Sequence, residues 1–157
     1  MAAIGLGSNL ASGFGDREGN LLEAVRRLAA LGEVKAVSGF YDTEPVGYQD
    51  QPRFLNGAAV LETSLEPLEL MRALLNIERA MGRERGVAEG EVLKGPRVID
   101  LDLLLYGDRV MDTVELTLPH PEMQARRFVL EPLKEVAGAW VHPVMGATVG
   151  ELLERLG

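Results

Sequence analysis

The chain has no cysteine, which excludes disulfides and every thiolate metal site. No stretch approaches the ~20 consecutive apolar residues of a membrane span. The opening MAAIGLGSNLASGFG lacks the basic start and sustained apolar run of a secretory signal. A cytoplasmic protein that does not enter a membrane is therefore expected. Basic charge is also short: 16 Lys and Arg face 24 Asp and Glu, for a net charge of −8. A phosphate-tracking surface normally shows as a basic domain, so no nucleic-acid partner is expected. Lysine is the scarcer cation, three against thirteen arginines, and arginine is the better residue for forked contacts to phosphate or carboxylate. One Trp, three Tyr and four Phe make any aromatic beside a polar loop noticeable.

What is present is an ordinary globular chain of 157 residues, 46% apolar and 25% charged, read as one domain over residues 1–157. AAIGLGS is a short strand. Asp16 to Leu31 follows a helical period through Leu21, Leu22, Val25, Leu28 and Ala29, with Gly32 as the stop. EVKAVSGFYDT and FLNGAAVLETS read as strands, separated by the aperiodic loop EPVGYQDQPR. A second helix starts at Pro67 and runs to Met81, with Leu70, Met71, Leu74, Ile77 and Met81 on one stripe. The fifteen-residue GRERGVAEGEVLKGP shows no pattern and reads as a functional lid. RVIDLDLLLYG is the next strand, a Pro-rich stretch follows, and TVGELLERL closes the chain as a short helix. The order β-α-β-β-α-β predicts an α+β, ferredoxin-like sandwich. Its antiparallel sheet carries two helices on one face and a C-terminal extension, leaving the other face for a ligand.

The strand RVIDLDLLLYG carries the most specific chemistry. Alternation sets Ile99, Leu101, Leu103 and Leu105 on one face and Asp100 with Asp102 on the other. Carboxylates two residues apart in a strand can converge on the same cations, and equally can be a solvated strand face; spacing leaves both open. Arg83, Arg85, Arg97, Arg126 and Arg127 cluster in sequence around this pair, which suits a triphosphate held by metal on one side and guanidinium on the other. His120 is a phosphate donor or a turn residue, and His142 a structural one. Phe54 and Asn56 share a strand face, and with Phe128 they could stack on and read a planar heterocycle. GLGSNLASG lacks the spacing of a G-x-G-x-x-G loop and the Gly-Lys of a P-loop, so it is not expected to hold phosphate.

FYDTEPVGYQDQPRFLNGA, GPRVIDLDLLLYG and LTLPHPEMQARRFVLEPL together closely resemble the 6-hydroxymethyl-7,8-dihydropterin pyrophosphokinase family, over essentially the whole chain. That resemblance implies transfer of pyrophosphate from ATP to a pterin hydroxymethyl group in folate biosynthesis, with release of AMP and with two Mg²⁺ ions on Asp100 and Asp102. It implies catalytic roles for Asp100, Asp102, Arg83 and Arg97. It places the pterin on Thr43, Val46, Phe54, Asn56 and Phe128. It assigns ATP to Glu78, Arg83, Arg85, Arg97, Leu103, Thr117, His120 and Arg126. ATP and the hydroxymethyl dihydropterin are then the small-molecule partners, and a monomer is expected. Three departures stand out. Lys94 replaces a lid Trp, the stretch from Arg85 to Lys94 is longer than in compact members, and Pro121 follows His120 where a Tyr can occur. Two other classes compete. A palm-type nucleotidyl transferase would want greater length and a basic channel. A non-catalytic ferredoxin-like ligand-binding module leaves the acids, arginines and aromatics unrelated.

Overall fold

The computed structural model describes residues 1–43, 53–82 and 97–157. Seven strands are seen among the described residues: β1 (Ala2–Ser8), β2 (Glu33–Val37), β3 (Tyr41–Thr43), β4 (Phe54–Glu62), β5 (Asp100–Tyr106), β6 (Met111–Asp112) and β7 (Thr117–Leu118). The four described α-helices are α1 (Arg17–Leu28), α2 (Pro67–Ala80), α3 (Arg127–Ala137) and α4 (Val149–Leu156). The main sheet runs β2-β4-β1-β5, with β3 also on β4, and every pairing is antiparallel. β1-α1-β2 and β4-α2-β5 each skip one strand, which is the interleaved pair of split βαβ units anticipated from element order.

Local chemistry explains most boundaries. Asp16 caps α1 by accepting from Gly19 N–H at 2.9 Å. The helix ends at Leu28, earlier than expected, and Gly32 is not its stop. A Cβ on Gly32 would lie 2.1 Å from the Glu62 carbonyl oxygen, so this glycine serves the close approach of the β2 entry to the end of β4. The buried side of α1 is Leu21, Ala24 and Leu28, while Leu22 and Ala29 are exposed. In α2, Glu66 and Glu69 form a reciprocal capping box ahead of Pro67. The expected single strand over residues 33–43 is two strands with a break at Ser38–Phe40. Ser38 bridges the break: its N–H donates to Ala58 O, and its Oγ accepts from Ala58 N–H, each at 2.9 Å.

One face of the sheet is closed by α1 and α2. Ile4, Leu6, Leu21, Leu28, Leu61, Leu70, Leu74, Ile99, Leu101 and Leu103 meet there in one core. The expectation that helices cover that face alone is corrected. α3 and α4 lie on the opposite face, packing Leu130, Leu133 and Leu152 over Ala3, Ala58, Val60, Leu104 and Leu105. The Pro-rich stretch hid α3 because Pro132 lies inside it. Leu105 is a second correction. Ala3 pairs with Leu105 and Ile4 with Leu103, so Leu104 is an extra residue and the strand bulges. A one-residue bulge reverses side-chain parity, which sends Leu104 and Leu105 together into the second core and returns Tyr106 to the first. No helix among the described residues is long and apolar enough to cross a membrane.

Candidate active site

Beyond the part of the second face that α3 and α4 fill, β1, β4 and β5 bring the expected residues into one patch. Gly7 is paired with Asn56 on one side and Asp100 on the other, and Gly5 with Ala58 and Asp102. Phe54, Asn56, Asp100 and Asp102 therefore rise from the same side of three adjacent strands. Gly7 is their common floor. A Cβ there would stand 3.1 Å from Asn56 Oδ1, 3.7 Å from Phe54 Cδ1 and 3.9 Å from Asp100 Cβ. Any larger residue would intrude between the aromatic-amide pair and the acids.

Asp100 and Asp102 are both half-buried. β5 is an edge strand, so its outward amides and carbonyls need partners from elsewhere. Glu78, expected among the nucleotide contacts, supplies one: it is 2% exposed and its Oε2 accepts from Leu101 N–H at 2.7 Å. That bond fixes the backbone between the two aspartates from the helix face. His120 supplies another, donating its backbone N–H to Leu104 O at 2.9 Å. Leu103 lies between these two attachments, and Thr117 is in the neighbouring β6–β7 hairpin.

His120 Nδ1 accepts from Glu122 N–H at 3.2 Å, which assigns the proton of the neutral ring to Nε2. Burial is the main cause that lowers its pKa below the usual 6.5; Arg126 lowers it further, while Glu122 and Asp100 oppose. The group is thus a neutral Nε2–H donor at pH 7, close enough to Asp100 to feel its charge. Arg126 is ion-paired with Glu122 and lies 5.5 Å from the Phe128 ring centre. Phe128 in turn rests on the second core. The adjacent Arg127 is paired along α3 with Glu131 at 3.6 Å, so the two neighbouring arginines have separate surroundings. His142 is buried and accepts from Val144 and Met145 N–H through Nδ1, the structural role expected of it.

Thr43 stands opposite Phe54 on β3, and its Oγ1 accepts from Asn56 Nδ2. Arg97 is clasped through its main chain: its N–H donates to Asn9 Oδ1 at 2.7 Å and its carbonyl accepts from Asn9 N–H at 3.0 Å. Val46, Arg83, Arg85, Lys94 and the expected lid lie outside the described residues. Among the described residues, no three His, Asp or Glu gather as a metal cluster.

Several contributors went unread in the sequence. Gly7 lies in the strand expected over AAIGLGS, but the sequence alone does not mark it as the position whose missing side chain makes the patch. Asn9 and Asn20 were not singled out. Asn20 is fully buried, donates to Ser8 Oγ at 3.1 Å and Leu10 O at 2.6 Å, and accepts from Ser12 Oγ. This satisfied network fixes the turn that presents Asn9 to Arg97. Strand parity over GLGSN was the signal available for Gly7; for the asparagines there was none.

A family model described as 7,8-dihydro-6-hydroxymethylpterin-pyrophosphokinase matches residues 3–138. The chain belongs to this family. Among its curated relatives, the 2-amino-4-hydroxy-6-hydroxymethyldihydropteridine pyrophosphokinase of Bacillus subtilis is 46% identical over 138 residues, covering 87% of this chain and 77% of that protein. The folic acid synthesis protein fol1 of Schizosaccharomyces pombe is 40% identical over 158 residues, and here 99% of this chain spans only 20% of the relative. In solved structures, a Plasmodium falciparum HPPK-DHPS crystallised with STZ-DHP superposes with a TM-score of 0.72 at 17% identity. It covers 98% of this chain and 42% of that one, a likeness of fold. The pyrophosphokinase family thus occurs both as proteins near this length and as part of much longer chains.

Proposed function

We propose that the chain transfers pyrophosphate from ATP to the hydroxymethyl group of 6-hydroxymethyl-7,8-dihydropterin in folate biosynthesis, acting as a cytoplasmic monomer built of one domain over residues 1–157. The observation that carries this reading is the meeting of Phe54, Asn56 and Asp100 around the bare Cα of Gly7. An aromatic face and an amide suit a flat heterocycle, and a neighbouring carboxylate pair suits a metal-held polyphosphate.

In this reading the pterin stacks between Phe54 and Phe128, while Asn56, held by Thr43, reads its edge together with Val46. The hydroxymethyl oxygen attacks the β-phosphorus, the bond from that phosphorus to the α,β-bridging oxygen breaks, and AMP leaves with the electron pair. The hydroxyl proton passes to solvent. Arg83, Arg85, Arg97 and Arg126, with His120 donating from Nε2, hold the phosphate oxygens, and the β5 edge at Leu103 with Thr117 holds the base. Glu78 keeps the strand beneath the nucleotide in register. Catalysis of this kind is positioning and electrostatic stabilisation rather than covalent chemistry.

The donor set fits Mg²⁺. Two half-buried aspartates on one face, supplying oxygen only, leave room for substrate phosphates, as that ion prefers. Bound at Asp100 and Asp102, two such ions would offset triphosphate charge and lower the pKa of the attacking hydroxyl. Incubating the protein with ATP, Mg²⁺ and the hydroxymethyl dihydropterin should yield AMP and the pterin diphosphate. ADP as product, or pterin binding with no nucleotide turnover, would overturn the assignment.

A further inference from the structure

Arg17, the first residue of α1, lies far along the chain from every residue assigned to the site, yet it reaches both strands of the pterin wall. Its Nη2 donates to Asp42 Oδ2 at 3.0 Å and its Nη1 to Asp42 Oδ1 at 3.3 Å. The same Nη1 donates to the Arg53 carbonyl at 2.8 Å. Arg53 closes the ring, with Nε on Asp42 Oδ1 at 2.9 Å and Nη2 on Asp42 O at 3.2 Å. Asp42 is in β3 one residue before Thr43, and Arg53 immediately precedes Phe54. The clasp therefore joins α1, β3 and the start of β4 at the point where the two strands carry Thr43, Phe54 and Asn56.

β3 needs such help. It has three residues, forms three pairs with β4, and lies at the sheet edge. A strand this short holds little of its own register, and the Asn56 amide depends on it for its Thr43 partner. The opposite end of β3 is tied separately: Glu135 of α3 accepts from the Tyr41 hydroxyl and from Gly39 N–H, the latter at 2.8 Å. Two arginines on one carboxylate also hold Asp42 ionised, its pKa lowered first by Arg17 and then by Arg53.

We propose that Arg17 is a positioning residue for the pterin pocket, acting through Asp42 and Arg53 to hold Thr43 and Phe54 in the geometry that receives the ring. This rests on the assignment of Thr43, Phe54 and Asn56 to the pterin. The ion pairs are solvent-accessible, with Arg17 and Asp42 side chains 31% and 49% exposed, so their loss should barely change global stability. The effect belongs to the pocket.

The experiment is calorimetric titration of the hydroxymethyl pterin into the protein saturated with a non-hydrolysable ATP analogue and Mg²⁺, at low and high salt. The pterin carries no net charge, so salt dependence of its Kd reports on ion pairs within the protein. Wild type should weaken by roughly threefold between 20 mM and 500 mM salt as the clasp is screened. Arg17→Ala should weaken the pterin about three- to tenfold at low salt, lose most of the salt dependence, keep its affinity for the ATP analogue, and melt within about 2 °C of wild type. Arg17→Lys, which keeps one contact, should fall between, and Asp42→Asn should match Arg17→Ala. Asn56→Ala serves as the reference for the pocket. If Asn56→Ala weakens the pterin while Arg17→Ala retains wild-type affinity and salt dependence, the clasp has no such role. Equal loss of pterin and ATP-analogue affinity in Arg17→Ala, or a large fall in melting temperature, also overturns it. If Asn56→Ala binds as wild type, the pocket assignment itself fails and the proposal falls with it.

Discussion

The two faces of the sheet are built from the same three strands, β1, β4 and β5, and serve opposite ends. The helix-covered face is filled continuously, from Ala2 and Ile4 through Leu61 to Ile99, Leu101 and Leu103, with α1 and α2 sealing it. Among the described residues, the other face is filled only where α3 and α4 lie. Beyond them it carries two glycines, an amide, an aromatic ring and two acids. Substituting glycines for β-branched residues in a central strand costs packing and backbone entropy. The first face supplies the stability that lets the second be locally poor. Glu78 links them, because it is rooted in the first face and bonded to the strand that presents the acids of the second.

The largest test of that division is Asp100→Ala. Turnover should fall by about 10²–10³-fold or more, as expected when a major electrostatic element of the transition state is removed, with pterin Kd within about threefold and thermal stability unchanged or slightly raised. Turnover near wild type would show that the acids are merely a solvated strand face. Next in size is Leu74→Ala, buried on α2 in the first face. Urea unfolding should show a loss of about 2–5 kcal/mol, while kcat per folded molecule stays close to wild type. A variant that lost kcat without losing stability would mean that the faces are not separable.

The smallest effect is in pH dependence. His120 and His142 both have pKa values lowered from 6.5, chiefly by burial, so the fold disfavours their protonated forms. The unfolded chain then binds more protons between the folded pKa and 6.5. Stability from these groups is fully present above about pH 6.5 and is lost as pH falls through that window. Melting temperature should drop modestly between pH 7.5 and 5.5. His142→Gln should flatten part of that slope without altering kcat, whereas His120→Gln should flatten part of it and also lower turnover. An unchanged slope in both variants would place the acid sensitivity in the carboxylates instead.

Legibility in the sequence followed the range of the interactions. The α2 stripe, its Pro67 start and the common face of Asp100 and Asp102 were readable because period and parity are properties of a few consecutive residues. Parity failed at Leu105, where the bulge is a matter of how β5 pairs with β1. α3 was hidden by Pro132, although Leu130, Leu133 and Ala137 kept a helical spacing. The residue types for a flat ring and a polyphosphate could be named from sequence, but Gly7, Asn9, Asn20 and Arg17 could not. Each acts on a partner distant in the chain: Arg17 on Asp42 and Arg53, Asn9 on Arg97.

By itself, the sequence determined the β-α-β-β-α-β order of the core, the ferredoxin-like class, the pair of acids on one strand face and, through its motifs, the pyrophosphokinase family. Tertiary structure alone decided that α3 and α4 cover part of the second face, that Glu78 braces β5, and that a bare Cα at Gly7 separates Phe54 and Asn56 from the acids. The physical reason is that local propensity and side-chain alternation act over a few bonds. Strand register, helix docking and hydrogen bonds across the sheet are settled only when distant segments compete for the same surface.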